Sequence, residues 1–238
     1  MHTVTLNKVV ERLELADELL AGRQTMFEPQ DLPGRYGRVV KAVDHLLGVL
    51  RCESVVSGGW AVWHHGFVGR LTQDIDIVLP AARLDEFLDV SCVSGFDVSR
   101  RWPARWPTLT HRDTSVKRTG LSRSCWPKLT HRETGIGVDI LPEGARPGTP
   151  TRPAPTTIPA PAAMGADEPR LKYISLAALV ELKLAAGRIK DEADVVELIR
   201  ANPESLSQIR QHLDRVHADY AAAFDRLVDQ ARESEDRA

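Results

Sequence analysis

The chain has 238 residues, 42% of them apolar and 27% charged, enough for one large domain or a core with a smaller helical part. Its 31 Lys and Arg against 33 Asp and Glu leave a net charge of −2, so global charge selects no partner and only local charge is informative. No apolar run reaches the ~18 residues of a membrane span, and Met1-His2-Thr3-Val4 does not open a leader pattern. Cys52, Cys92 and Cys125 are odd in number and far apart, which argues against a disulfide framework or a zinc ribbon. The expectation is a cytoplasmic protein with no membrane partner.

Residues 3–22 carry apolar side chains at helical spacing and stop at Gly22. Pro29 and Pro33 mark a loop, and 35–50 repeats the helical pattern. Ser54-Val55-Val56 reads as a short strand ending at Gly58-Gly59, with a short helix over Trp60 to His65. Residues 74–79 read as a strand closed by Pro80, 83–90 as a helix and 96–100 as another strand. Trp106-Pro107-Thr108-Leu109-Thr110-His111-Arg112-Asp113-Thr114 then recurs 20 residues later as Trp126-Pro127-Lys128-Leu129-Thr130-His131-Arg132-Glu133-Thr134, identical at seven of nine positions. This is a tandem duplication with too few copies for a solenoid. The second copy turns at Thr134-Gly135 into the apolar strand Gly137-Val138-Asp139-Ile140-Leu141; the first has no such strand and reads as an inserted loop.

Residues 142–169 hold eight prolines, predicting an extended segment with no core of its own. Helix is expected over 175–200, broken near Gly187-Arg188, and again over 204–232 after Pro203. The expected organisation is a core with N-terminal helices at 1–145, a proline-rich linker at 146–170 and a helical domain at 171–238.

Three carboxylates carry the chemistry. Asp74 and Asp76 are two apart on a strand and share a face. Asp139 lies within an apolar strand, where a charge is costly unless compensated. Two carboxylates about 4 Å apart repel by roughly 4 kcal/mol at an effective dielectric near 20. Three in one site call for a cation, and Mg²⁺ suits oxygen ligands that include substrate phosphates. Upstream, Ser57-Gly58-Gly59 between a strand and a helix lets backbone N–H groups approach a phosphate. The bland alternatives are an exposed edge strand and a plain Gly-Gly turn.

Ser57-Gly58-Gly59-Trp60-Ala61, Gly69-Arg70-Leu71-Thr72-Gln73-Asp74-Ile75-Asp76-Ile77 and Val138-Asp139-Ile140-Leu141 resemble the polymerase-beta-type nucleotidyltransferase superfamily. The resemblance implies an α+β nucleotidyltransferase fold, a small mixed β-sheet flanked by helices plus a helical C-terminal part. It implies two Mg²⁺ ions held by Asp74, Asp76 and Asp139, an NTP substrate, and Ser57, Gly58 and Gly59 around its β- and γ-phosphates. Tyr173-Ile174-Ser175-Leu176, Leu179, Glu181-Leu182-Lys183-Leu184-Ala185-Ala186-Gly187-Arg188, Asp191 and Asp194 are similar to the helical segment of AbiEii/AbiGii-type toxin nucleotidyltransferases. That match implies a catalytic role for Lys183 at the triphosphate, with Arg188 as a lesser contact; the alternative is a solvated helix lysine. Asp191 and Asp194 read as partners of Arg188 and Lys190 or as helix caps. Arg70 and Thr72 border the metal strand as phosphate contacts or loop anchors. Trp60 and Trp63 read as core, and His64-His65 as unsuited to joint metal ligation.

Residues 100–132 contain nine Lys or Arg and one acid, with Trp102, Trp106 and Trp126 interleaved. Basic groups meet phosphates and aromatics stack on bases, so RNA, plausibly a tRNA end, is the expected acceptor. A solvated basic loop is the alternative. The family resemblance then implies a toxin of a toxin–antitoxin or phage-defence pair, with an antitoxin protein as partner. The competing functions are an aminoglycoside- or lincosamide-type antibiotic nucleotidyltransferase and a non-catalytic nucleotide- or partner-binding module.

Overall fold

The computed structural model describes residues 18, 25–67, 72–99, 126–149 and 152–235. The expected N-terminal helix at 3–22, the first copy of the duplication and Arg70 lie outside these residues, apart from Glu18. The first described helix, α1 (Gly34–Leu50), buries Tyr36, Val39, Val40, Val43, Leu46, Leu47 and Leu50 along one stripe, the spacing read from the sequence. It ends at Arg51, which takes the left-handed conformation. Strand β1 (Ser54–Ser57) runs into α2 (Gly58–His64); β2 (Ile75–Leu79) is followed by α3 (Leu84–Val93) and β3 (Phe96–Ser99). The second copy of the duplication supplies β4 (Lys128–His131) and turns into β5 (Gly137–Pro142).

Six strands form one mixed sheet in the order β3-β4-β5-β2-β1-β6, where β6 is Leu171–Tyr173. The α+β class, the small mixed sheet and the helical C-terminal part expected from the sequence are all present. Residues 171–173 complete the sheet by pairing parallel with β1, and Leu171 N–H donates to Asp44 Oδ1 of α1 at 2.8 Å.

The two faces of the sheet bury two clusters. On one face Val56, Ile75, Ile77, Leu79, Val138 and Ile140 pack against α1, α3 and the tryptophans of α2. On the other, Val55, Val78 and Leu141 pack against the C-terminal helices α4 (Leu176–Ala186), α5 (Ile189–Ala201), α6 (Leu206–Val216) and α7 (Ala218–Glu235). Trp60 and Trp63 are core, as expected, at 2% and 3% exposure. The proline-rich segment, expected to have no core of its own, packs into this second cluster: Ala145, Ala154, Ile158, Met164 and Ala166 are buried in it. Proline prevents regular structure here, but it does not prevent the side chains between prolines from packing.

Gly187 (φ +60°) ends α4 and gives the break anticipated at that point. The helix expected over 204–232 is two helices. His217 is extended between α6 and α7, and its Nδ1 accepts the Asp219 N–H at 3.2 Å. Neither glycine nor proline marks this corner, and the apolar spacing runs through it unbroken, so sequence periodicity reads one helix.

Candidate active site

The site is a row of residues across four strands. Ser57 of β1 lies opposite Asp76 of β2, Asp76 opposite Asp139 of β5, and Asp139 opposite Lys128 of β4. Neighbouring strands lie about 4.8 Å apart and residues in register share a face, so serine, two carboxylates and an ammonium line up side by side. Period-two alternation decides which face. Val55, Val78 and Leu141, each two residues from a member of the row, belong to the cluster under the C-terminal helices. The row therefore opens toward the helical layer, beyond the last apolar contact.

Glycines make room for the acids. A Cβ on Gly58 would stand 1.9 Å from Asp76 Oδ2, and Gly58 also has φ +65°. A Cβ on Gly137 would stand 2.8 Å from Asp74 Oδ1. A Cβ on Gly59 would stand 2.7 Å from the Thr72 Cβ. The sequence singles out Gly58 and Gly59 for phosphate approach; what the fold places against them is Asp76 and Thr72. Gly137 escaped the sequence reading, where its only signal was its place in the turn-rich start of a strand.

Asp74 precedes β2 and its carboxyl is raised above the ordinary carboxylate range. Loss of water is the larger cause and the Asp139 charge the second, with Lys128 opposing both. Asp74 and Asp139 thus sense each other's charge. Ser57 is 2% exposed, and its Oγ is buried without a hydrogen-bond partner among the described residues. A buried hydroxyl left unmatched is uncommon and costs about 1–3 kcal/mol unless a ligand or water meets it. Thr72 serves as a loop anchor: its Oγ1 donates to the Asp74 carbonyl at 3.2 Å, and its own carbonyl accepts from Tyr36 Oη at 3.4 Å.

Lys128 was not among the residues proposed from sequence. Its Nζ lies 2.8 Å from Asp139 Oδ1 and 2.9 Å from Oδ2, so the third carboxylate is closed onto an internal cation. The three acids are the hard oxygen donors that suit Mg²⁺. Among the described residues, however, no group of three or more His, Cys, Asp or Glu side chains is gathered to hold a metal ion. The donor set fits the cation in kind, and one of its members, Asp139, is paired with Lys128.

Ser57 and Gly58 also line a cavity of about 240 Å³, whose other walls include Trp126, Leu141, Ile158, Leu182, Lys183 and Arg188. Lys183 and Arg188 are thus on the same cavity as the serine turn. Lys183 is not a solvated helix lysine: it is buried, with Nζ 2.5 Å from Asp194 Oδ2 and 3.4 Å from Asp191 Oδ1. Arg188 Nη2 donates to Asp191 Oδ1 at 2.8 Å, the pairing the sequence suggested. Burial of Asp191 opposes its charge, but the Arg188 hydrogen bonds and the Lys183 charge outweigh it and hold the carboxyl below the usual range. His64 stacks on Tyr173 with centroids 3.9 Å apart and meets the His65 ring edge to face at 5.0 Å, while His65 Nε2 contacts the Ile174 carbonyl at 2.7 Å.

No family model matches the chain, and no curated protein matches it. Among solved structures, a crystal structure of ANT(2'')-Ia in complex with adenylyl-2''-tobramycin is similar at 13% identity and a TM-score of 0.40, covering 83% of this chain and 97% of that one. No described helix is long and apolar enough to cross a membrane.

Proposed function

We propose that this chain is a nucleotidyltransferase that moves a nucleoside monophosphate from an NTP to an acceptor hydroxyl. The observation that carries the reading is the row Ser57–Asp76–Asp139 across adjacent strands, with an unmatched serine hydroxyl at one end and a glycine turn beside it. In this reading the Ser57 Oγ and the backbone at Gly58 and Gly59 receive the β- and γ-phosphates. Arg188, on the cavity wall, adds positive charge, and Lys183 sets the position of Asp191 and, through it, of Arg188. The acceptor oxygen bonds to the α-phosphorus, the bond from that phosphorus to the bridging oxygen breaks, and pyrophosphate leaves. Asp139 accepts or relays the hydroxyl proton. Asp74, Asp76 and Asp139 would hold two Mg²⁺ ions, which neutralise the developing charge and align the attacking and leaving oxygens.

RNA is the acceptor class we favour, on the basic, tryptophan-bearing stretch 100–132. The test is incubation of the full chain with each α-³²P-labelled NTP, Mg²⁺ and, in parallel, total RNA or an aminoglycoside. Label on RNA supports the proposal. Label on the aminoglycoside alone keeps the transferase and replaces the acceptor. No label on either, with no pyrophosphate released, rejects the enzyme and leaves a nucleotide- or partner-binding module. The toxin role implied by the AbiEii/AbiGii resemblance depends on the RNA acceptor. It requires that expression arrest growth and that Asp76→Ala relieve the arrest.

A further inference from the structure

Lys128 is where the duplicated segment diverges. In the second copy Trp126, Leu129 and His131 face inward and are buried, and each has its identical counterpart in the first copy, at Trp106, Leu109 and His111. The two positions that differ, Lys128 for Thr108 and Glu133 for Asp113, are exposed in the second copy, and both form ion pairs. Glu133 Oε1 meets Arg38 Nε at 3.2 Å, and Lys128 meets both oxygens of Asp139. In the second copy the shared Leu129, Thr130 and His131 form the strand together with Lys128, and Lys128 stands where the first copy has Thr108.

We propose that Lys128 is the internal counter-cation of this site. It neutralises Asp139 in the metal-free protein, releases it when a divalent cation enters beside Asp74 and Asp76, and so lowers the affinity for that cation. The inference rests on the metal-binding reading given above. Its physical basis is competition: an ammonium seated on both carboxylate oxygens and a divalent ion cannot use the same lone pairs. Lys128 is half exposed, with 52% of its side chain accessible against 26% for Asp139, so its release costs little packing. An ion pair this open is worth at most about a factor of five in equilibrium. That is enough to tune cation affinity and too little to block it.

The experiment is titration of the full-length, metal-free protein with Mn²⁺, following free Mn²⁺ by electron paramagnetic resonance, so that catalysis is not required. Lys128→Met is expected to bind Mn²⁺ about twofold to fivefold more tightly than wild type. Lys128→Gln should do the same, and Lys128→Arg should stay near wild type. In an Asp139→Asn background Lys128→Met should change nothing, because the group it competes for is gone. Unchanged or weaker Mn²⁺ binding in both charge-removed variants, with wild-type binding intact, overturns the role of Lys128 and leaves the metal site standing. Absence of Mn²⁺ binding in wild type and variants alike overturns both.

Discussion

At the scale of single residues, the site consists of charges held under opposite constraints. Asp76 sits in a row with Asp139 and faces the gap left by Gly58. Its replacement removes one of the two carboxylates of that row. Asp76→Ala is expected to abolish nucleotidyl transfer while the protein stays folded, as read by calorimetry beside the labelled-NTP assay. Lys183 is the reverse case. It is the buried partner of two carboxylates, each 3% exposed or less, and Lys183→Met would leave both without that charge. A loss of about 3–5 kcal/mol in stability is expected at neutral pH. The pH dependence follows from Asp191. Its folded carboxyl lies below the ordinary value, so its pairing stabilises above the unfolded carboxylate pKa and is lost as pH falls through the folded one. The penalty of Lys183→Met in urea melts should therefore shrink on acidification, as Asp191 becomes protonated. A penalty independent of pH would mean that Lys183 contributes packing alone.

At the scale of elements, composition and burial part company in the proline-rich segment. Residues 142–169 read from sequence as a linker, because eight prolines deny the backbone regular hydrogen bonding. Yet Ile158 is 1% exposed, and its N–H and the Ala145 carbonyl are joined at 2.8 Å. Ile158→Ala is expected to cost about 2–4 kcal/mol in denaturant unfolding, the range of a buried aliphatic truncation. A tethering linker would show no loss. The corner at His217 has the same lesson. Local spacing continues through it, and the turn exists because α6 and α7 pack against each other and against α4. The elements that were legible, α1, β1, β2, β5 and the Gly187 break, are those whose apolar period or glycine is a local property. The Ser57-Gly58-Gly59 turn and the Asp74/Asp76 pair were legible for the same reason. Lys128 and Gly137 were not, because their meaning is a cross-strand partner far away in sequence.

At the scale of the whole molecule, the sheet and the helical part share one buried cluster. Val55, Val78 and Leu141 of the sheet bury against the C-terminal helices, and β6 lies beyond the linker yet completes the sheet. A chain ending at residue 170 would expose that apolar face and the edge of β1. It is expected to be insoluble or to lack a cooperative thermal transition, measured by circular dichroism. A folded, cooperative fragment would show two independent domains. The same arrangement explains why the carboxylate row opens where it does, since the apolar members of β1, β2 and β5 are consumed by the helical layer.

Sequence alone determined most of the helices and strands, the α+β class and the acids and glycines to consider, because periodicity, turn chemistry and the cost of a charge in an apolar strand are local. Only tertiary structure decided that Asp76 stands between Ser57 and Asp139, that Lys128 occupies the third acid, and that Lys183 is locked by Asp191 and Asp194. Strand register and helix packing set those distances, and neither is written in any short stretch of the chain.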